Sequence, residues 1–227
     1  MKNMKILVVL LCAFLSLSSV SCNANNGGKP PLKGPARYDD WVTVSLPGVC
    51  TFQYPPTMEL ENEAHREFKE TIAKEILKIT SDLSRVVVHQ KGLNDYEGKA
   101  FDRYARVLVN TEQGNDGDFP RLEDELVFSQ VELAELKVMF EQEFEQYNQQ
   151  MELLEMYPCE VVNINGIDAL KVSYLRVASY NKPVLVSLYI FYDYDRSYTI
   201  TISYRVSEAD IWKSDLDKVI YTVEFAE

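Results

Sequence analysis

Apolar and polar positions alternate along the chain with two different periods, and each period places an element. Thr43 to Tyr54 reads as a broken strand pair, split at Pro47-Gly48 and ended by Pro55-Pro56. From about Glu59 to Ile79 the period lengthens. Leu60, Ala64, Phe68, Ile72, Ile76 and Ile79 recur mostly at spacing four, which predicts an amphipathic helix. Glu59 and Glu61 in its first turn, and Lys74 and Lys78 near its end, suit the helix dipole. Arg85 to Gln90 and Tyr104 to Thr111 are Val-rich and read as strands. A second helix is predicted from about Ser129 to Leu154, where Leu133, Leu136, Phe140, Phe144, Tyr147, Met151 and Leu154 recur at three and four.

Late in the chain the period falls to two. Val161 to Ile164 leads into Asn165-Gly166, a pair that tolerates positive φ at both turn positions, so a tight hairpin is expected, returning through Ala169 to Val177. Val184 to Tyr192 is apolar on both faces and should be a central strand covered on both sides. Asp193-Tyr194-Asp195-Arg196 turns it. Tyr198, Ile200, Ile202, Tyr204 and Val206 then alternate with Thr199, Thr201, Ser203 and Arg205, the signature of a half-buried strand. Ser207 is placed to cap a final helix, with Asp210 three residues on and an inner stripe of Trp212, Leu216, Val219 and Ile220. Val223 and Phe225 suggest a short closing strand.

The first 21 residues belong to a different pattern. Lys2 and Lys5 precede Ile6–Leu17, an apolar run of 12 residues, too short for the roughly 20 residues of a membrane-spanning helix. Ser19-Val20-Ser21 fits ordinary signal cleavage. The same stretch, ending in Cys22, resembles a bacterial lipoprotein signal; Ser19 stands where that family usually has Leu. The resemblance implies that Cys22 becomes the first mature residue and carries lipid. Asn23 to Arg37 is polar and rich in Gly and Pro, so residues 22–37 read as a flexible tether. The expected organisation is a signal peptide at 1–21, the tether at 22–37, and one domain at 38–227. No acidic run follows Cys22, so the expected location is the periplasmic face of the outer membrane.

Composition narrows the function more than it identifies it. The 227-residue chain has 46% hydrophobic and 26% charged residues, ordinary for a globular protein. Without Lys2 and Lys5 the balance is 21 Lys and Arg against 35 Asp and Glu, or −14. That charge argues against a nucleic-acid partner and against electrostatic adhesion to anionic lipid, so membrane attachment must come through lipid on Cys22. Between Arg121 and Glu155 ten acidic residues face Arg121 and Lys137, which reads as a solvated helix surface.

The run Asn163 to Tyr174, the two strands after it and the closing helix resemble the PsbP-like superfamily, as does Val49 to Pro56 for a first strand with an aromatic-Pro exit. The resemblance implies an α+β fold, an antiparallel sheet flanked by helices in an α/β/α sandwich. It also implies a binding or accessory role in place of catalysis. Fold alone does not specify an activity.

Few residues offer chemistry. Cys12 leaves with the signal, and a lipidated Cys22 leaves Cys50 and Cys159, which an oxidising compartment would pair. Such a bridge would close a loop of about 110 residues and stabilise by roughly 4 kcal/mol. The alternative is two separate buried thiols. Glu112 to Glu123 has the length of a calcium loop. Glu112, Asp116, Gly117 and Glu123 fall in frame, but Gly114 occupies the third ligand position, so a polar loop turned by Gly114 and Gly117 is expected. His65 and His89 have no partner motif, no metal or other cofactor is expected, and no nucleophile elbow, P-loop or dinucleotide fingerprint occurs. Seven of the 14 tyrosines lie on or between the late strands. Tyr is also an ordinary strand residue, so core or half-buried packing is the reading for most of them; Tyr192, Tyr194 and Tyr198, about the predicted turn, are the candidates for an exposed aromatic patch that meets a protein or envelope-component partner. The leading expectation is a lipid-tethered, non-catalytic binding domain. Its alternatives are a small-ligand carrier with a cavity between sheet and helices, and a hydrolase using scattered carboxylates.

Overall fold

The computed structural model describes residues 34–61, 85–93, 103–122, 127–147, 151–178 and 182–226. Eleven strands and two α-helices are found among them: β1 (Val42–Leu46), β2 (Cys50–Tyr54), β3 (Met58–Leu60), β4 (Arg85–Gln90), β5 (Ala105–Gln113), α1 (Gln130–Tyr147), β6 (Met151–Met156), β7 (Glu160–Ile164), β8 (Ile167–Ala178), β9 (Val184–Asp193), β10 (Arg196–Arg205), α2 (Ala209–Val219) and β11 (Glu224–Phe225). Eight strands make one antiparallel sheet in the order β3-β4-β5-β10-β9-β8-β6, with β7 also on β8; β1, β2 and β11 form a smaller sheet. The fold is α+β and dominated by sheet. None of the described helices is long and apolar enough to cross a membrane.

Side-chain alternation along the central strands builds a core on each face of the large sheet. Ala169, Tyr189, Phe191, Ile200 and Ile202 face a cluster completed by Phe52 of β2 and by Trp212, Leu216 and Val219 of α2. Leu170 and Val172 point the other way, with Leu188 and Ile190, onto Leu133 and Leu136 of α1. The described layers are therefore α1, the eight-stranded sheet, and then α2 beside the small sheet. β9 is covered on both sides, as its apolar sequence requires.

Local signals set several elements. Asn165 and Gly166 take φ of 53° and 90°, closing the β7–β8 hairpin with Ile164 opposite Ile167. The Asn165 side chain donates to the carbonyls of Tyr221 and Val223, so the hairpin tip holds the chain leading into β11. At the start of α1, Ser129 N donates to Glu132 Oε2 at 2.7 Å and Glu132 N to Ser129 Oγ at 3.3 Å, a reciprocal capping box.

Four expectations change. The first predicted helix does not begin at Glu59: Glu59 pairs with His89 in β3–β4, and Glu61 N continues the ladder by donating to Val87 O. Residues 62–84 lie outside the described residues. The second helix ends at Tyr147, and Met151–Met156 becomes a strand against β8. The backbone edge of β8 from Tyr174 to Ala178 supplies partners that a helix would leave unpaired. Ser207 does not cap α2: it sits within a 3-10 turn over Val206–Glu208, and Glu208 takes the N-cap position. The tether does not run free to Arg37, because Ala36 N donates to Tyr221 O and Arg37 Nη1 to Thr222 O.

Candidate functional site

The β9–β10 turn, expected as an aromatic docking patch, is built inward. Tyr194 takes φ of 54° at its tip, and the loop after β5 folds over it. Tyr194 N donates to Phe119 O at 2.7 Å, Phe119 N and Gly117 N donate to Tyr194 O, and Gly114 N donates to Asp195 O. Gly114 is required there, since a Cβ would lie 2.7 Å from the Phe119 ring. The Arg121 guanidinium stacks 4.9 Å from the Tyr194 ring centroid and donates through Nε to Asp193 Oδ1 at 2.9 Å. Phe119 stacks on Tyr192. Arg196 and Gln113 donate to Asp195, and the Arg196 hydrogen bond lowers its carboxyl to about 2. Tyr192 and Tyr194 are half-buried, and Tyr198 is buried against Phe225 in the core. The packing reading of the strand tyrosines therefore describes Tyr198, which is not part of an exposed patch, while Tyr192 and Tyr194 stay partly exposed about the turn. Within the loop after β5, Asp118 accepts from Asn115 N and Nδ2.

Cys50 and Cys159 are both free and buried. Cys50 belongs to the cluster with α2, and Cys159 to the cluster with α1. The eight-stranded sheet stands between them, so the structure does not bring them together as the bridge requires. Burial pushes the Cys50 thiol up to about 12 and Cys159 to about 11. Both are protonated at neutral pH and unsuited to nucleophilic attack. Cys22, and with it lipidation, lies outside the described residues, as does His65.

The α1-bearing face of the large sheet carries a group that the sequence reading passed over. Strand register places His89, Arg106 and Ser203 in one row across β4, β5 and β10. Two strands further, through Val186, lies Tyr174. In the next row Arg205 and Arg176 both lie opposite Val184, one on each side of it. Tyr104, just before β5, closes the group. Its carbonyl accepts from Arg205 N, its hydroxyl accepts from Ser203 Oγ at 3.3 Å, and its ring lies 5.6 Å from the Arg106 guanidinium.

Arg205 is 7% exposed. Its Nε and that of Arg106 are closed to solvent and make no hydrogen bond. Among the described residues neither arginine pairs with a carboxylate. The nearby acids serve other donors. Glu59 accepts from Gly92 N and lies 3.8 Å from His89, while Glu208 accepts from Tyr104 N and Trp212 Nε1. Burial raises the Tyr174 hydroxyl against the opposing pull of Arg176, and Phe144 of α1 meets its ring edge-on. The polar side of β10 is thus not a solvent face: Ser197, Ser203 and Arg205 are all buried. A polar strand side ending in arginine was the available sequence signal, and its alternation reads equally as surface.

No family model matches the chain, and no curated protein sequence matches it. Among solved structures it is similar to the solution structure of cyanobacterial PsbP (CyanoP) from Synechocystis sp. PCC 6803. The identity there is 13%, over 90% of this chain and 98% of that one, with a TM-score of 0.49. A crystal structure from Bacteroides thetaiotaomicron VPI-5482 is similar at 9% identity and a TM-score of 0.40, covering 78% of this chain and 45% of that one.

Proposed function

We propose that this chain is a lipid-anchored, non-catalytic binding or accessory domain of the cell envelope, held through Cys22 at the periplasmic face of the outer membrane. The observation that carries the reading is the order of the first 37 residues: two lysines, a short apolar run, small residues ending in Cys22, and a Gly/Pro-rich tether. The acidic balance of the body supports it, because such a surface is repelled by anionic head groups and leaves lipid as the means of attachment. The two buried thiols and the internally bonded turn support a non-catalytic role, since these groups are engaged in packing.

The test is Cys22→Ser expressed in a bacterium with an outer membrane. The parent chain should sediment with that membrane and incorporate labelled fatty acid. The variant should lose the label and appear in the soluble fraction. Label retained by the variant overturns the reading. Chemical cross-linking of the parent in intact envelopes, with the variant as control, should then recover an envelope component that depends on anchoring.

A further inference from the structure

We propose that Arg106 and Arg205, with the Ser203 and Tyr104 hydroxyls between them, form a binding site for a small oxyanion, carboxylate or phosphate, on the α1-bearing face of the large sheet. Arg106 lies directly opposite Ser203, and Arg205 is two residues along from Ser203 on the same strand side. The arginines are therefore diagonal neighbours across an antiparallel pair, with Cα atoms about 7–8 Å apart. At that separation two guanidinium forks converge on one oxyanion of a few ångströms' width. Ser203 donates to the Tyr104 oxygen, so the Tyr104 hydroxyl keeps its own proton to offer. Arg176, bonded to Met151 Sδ, adds positive charge at the rim of the same face.

The Nε atoms of two like-charged side chains, diagonal across one strand pair, have lost water without gaining an acceptor among the described residues. This body carries 35 acidic residues, yet among the described residues none forms an ion pair with either arginine, and Glu59 and Glu208 accept from other donors. An exogenous oxyanion that accepts from their remaining N–H groups would offset both charges at once. The site stands apart from the anchoring reading, and its failure would leave Cys22 untouched.

The experiment measures thermal unfolding and calorimetric titration of the purified protein. Inorganic phosphate and succinate are the two probes, each against chloride at equal ionic strength. The parent should show a melting temperature that climbs with at least one probe beyond the chloride control. A response to phosphate alone identifies a phosphate-bearing ligand; one to succinate alone identifies a carboxylate. Arg106→Gln and Arg205→Met should each weaken that response at least tenfold, while Lys213→Gln, on α2, leaves it unchanged. Without ligand, Arg205→Met should melt no lower than the parent, because it removes an uncompensated charge. Arg205→Lys keeps the charge and loses the fork, so it should also bind at least tenfold more weakly. No oxyanion-specific response in the parent, or equal responses in the parent and both Arg106→Gln and Arg205→Lys, overturns the proposal.

Discussion

Thr222→Val isolates one side chain that stands in for a strand. β2 is bordered by β1 on one side and by β11 on the other, but β11 reaches only Cys50 and Thr51. At Gln53 the backbone N–H on that second side meets Thr222 Oγ1 at 2.9 Å, across 169 residues of sequence. The hydroxyl donates to Val219 O at 2.7 Å, with Gln53 O a second acceptor at 3.3 Å, and Thr222 is fully buried. Valine keeps the shape and removes all of these hydrogen bonds. The loss leaves the Gln53 N–H enclosed without an acceptor, which costs about 1–3 kcal/mol. For a domain of this size each kcal/mol moves the melting point by about 2–4 °C. Thr222→Val should therefore melt about 4–8 °C below the parent for a loss of about 2 kcal/mol, by circular dichroism or calorimetry. Thr222→Ser, which keeps the oxygen and gives up one methyl group, should lose less. A serine variant as damaged as the valine variant would show that the methyl contact, not the hydrogen bond, joins the segment after α2 to β2, and would refute the reasoning.

The remaining predictions probe the core, the turn and the thiols. Leu216 is fully buried between α2 and the sheet, so Leu216→Ala should cost about 3 kcal/mol in urea unfolding with an unchanged slope. Asp195 has its carboxyl lowered to about 2 by Arg196, so its contribution is present above the ordinary carboxylate range and is lost as pH falls from about 4 towards 2. Asp195→Asn should accordingly be less stable than the parent at neutral pH and converge with it under acid. Cys50 and Cys159 should resist iodoacetamide in the folded protein, and both should react on unfolding without reductant. A pair silent until reduction would restore the bridge.

The parts of the fold legible in sequence are those decided within a few residues. Asn165-Gly166 announces its turn because positive φ at two successive positions has few solutions in side-chain chemistry. The stripe of α2 is legible because Trp212, Leu216 and Val219 follow the helical period up to the point where the chain turns. β6 is illegible for an equally physical reason. Its alternation breaks where the register shifts between Leu153 and Glu155, leaving Leu154 outside the pairing. With that break, Met151 and Leu154 fall in step with the preceding helix. Only the open edge of β8 decides the matter, and that edge is made by residues 18 to 27 positions later, from Met156 opposite Tyr174 to Met151 opposite Ala178.

The arginine face is hidden for a deeper version of the same reason. Nothing within five residues of Arg106 or Arg205 distinguishes either from a solvated strand residue. Their meaning comes from register: Ala105 opposite Tyr204 fixes Arg106 opposite Ser203, and the core itself enforces that alignment, since a slip of one residue would turn Val107, Val109, Ile200 and Ile202 away from the α2 cluster. The hydrophobic core on one face of the sheet thus sets, as a geometric consequence, which polar groups meet on the other. The two diagonal cations are held by the same strand pairing that holds the core, so any loss of binding in Arg106→Gln or Arg205→Lys should occur with the β5–β10 ladder intact. Amide hydrogen exchange along β5 and β10 would test that separation. Protection unchanged in both variants means the arginines serve the face alone, and protection lost along the ladder means they help to hold the strands together.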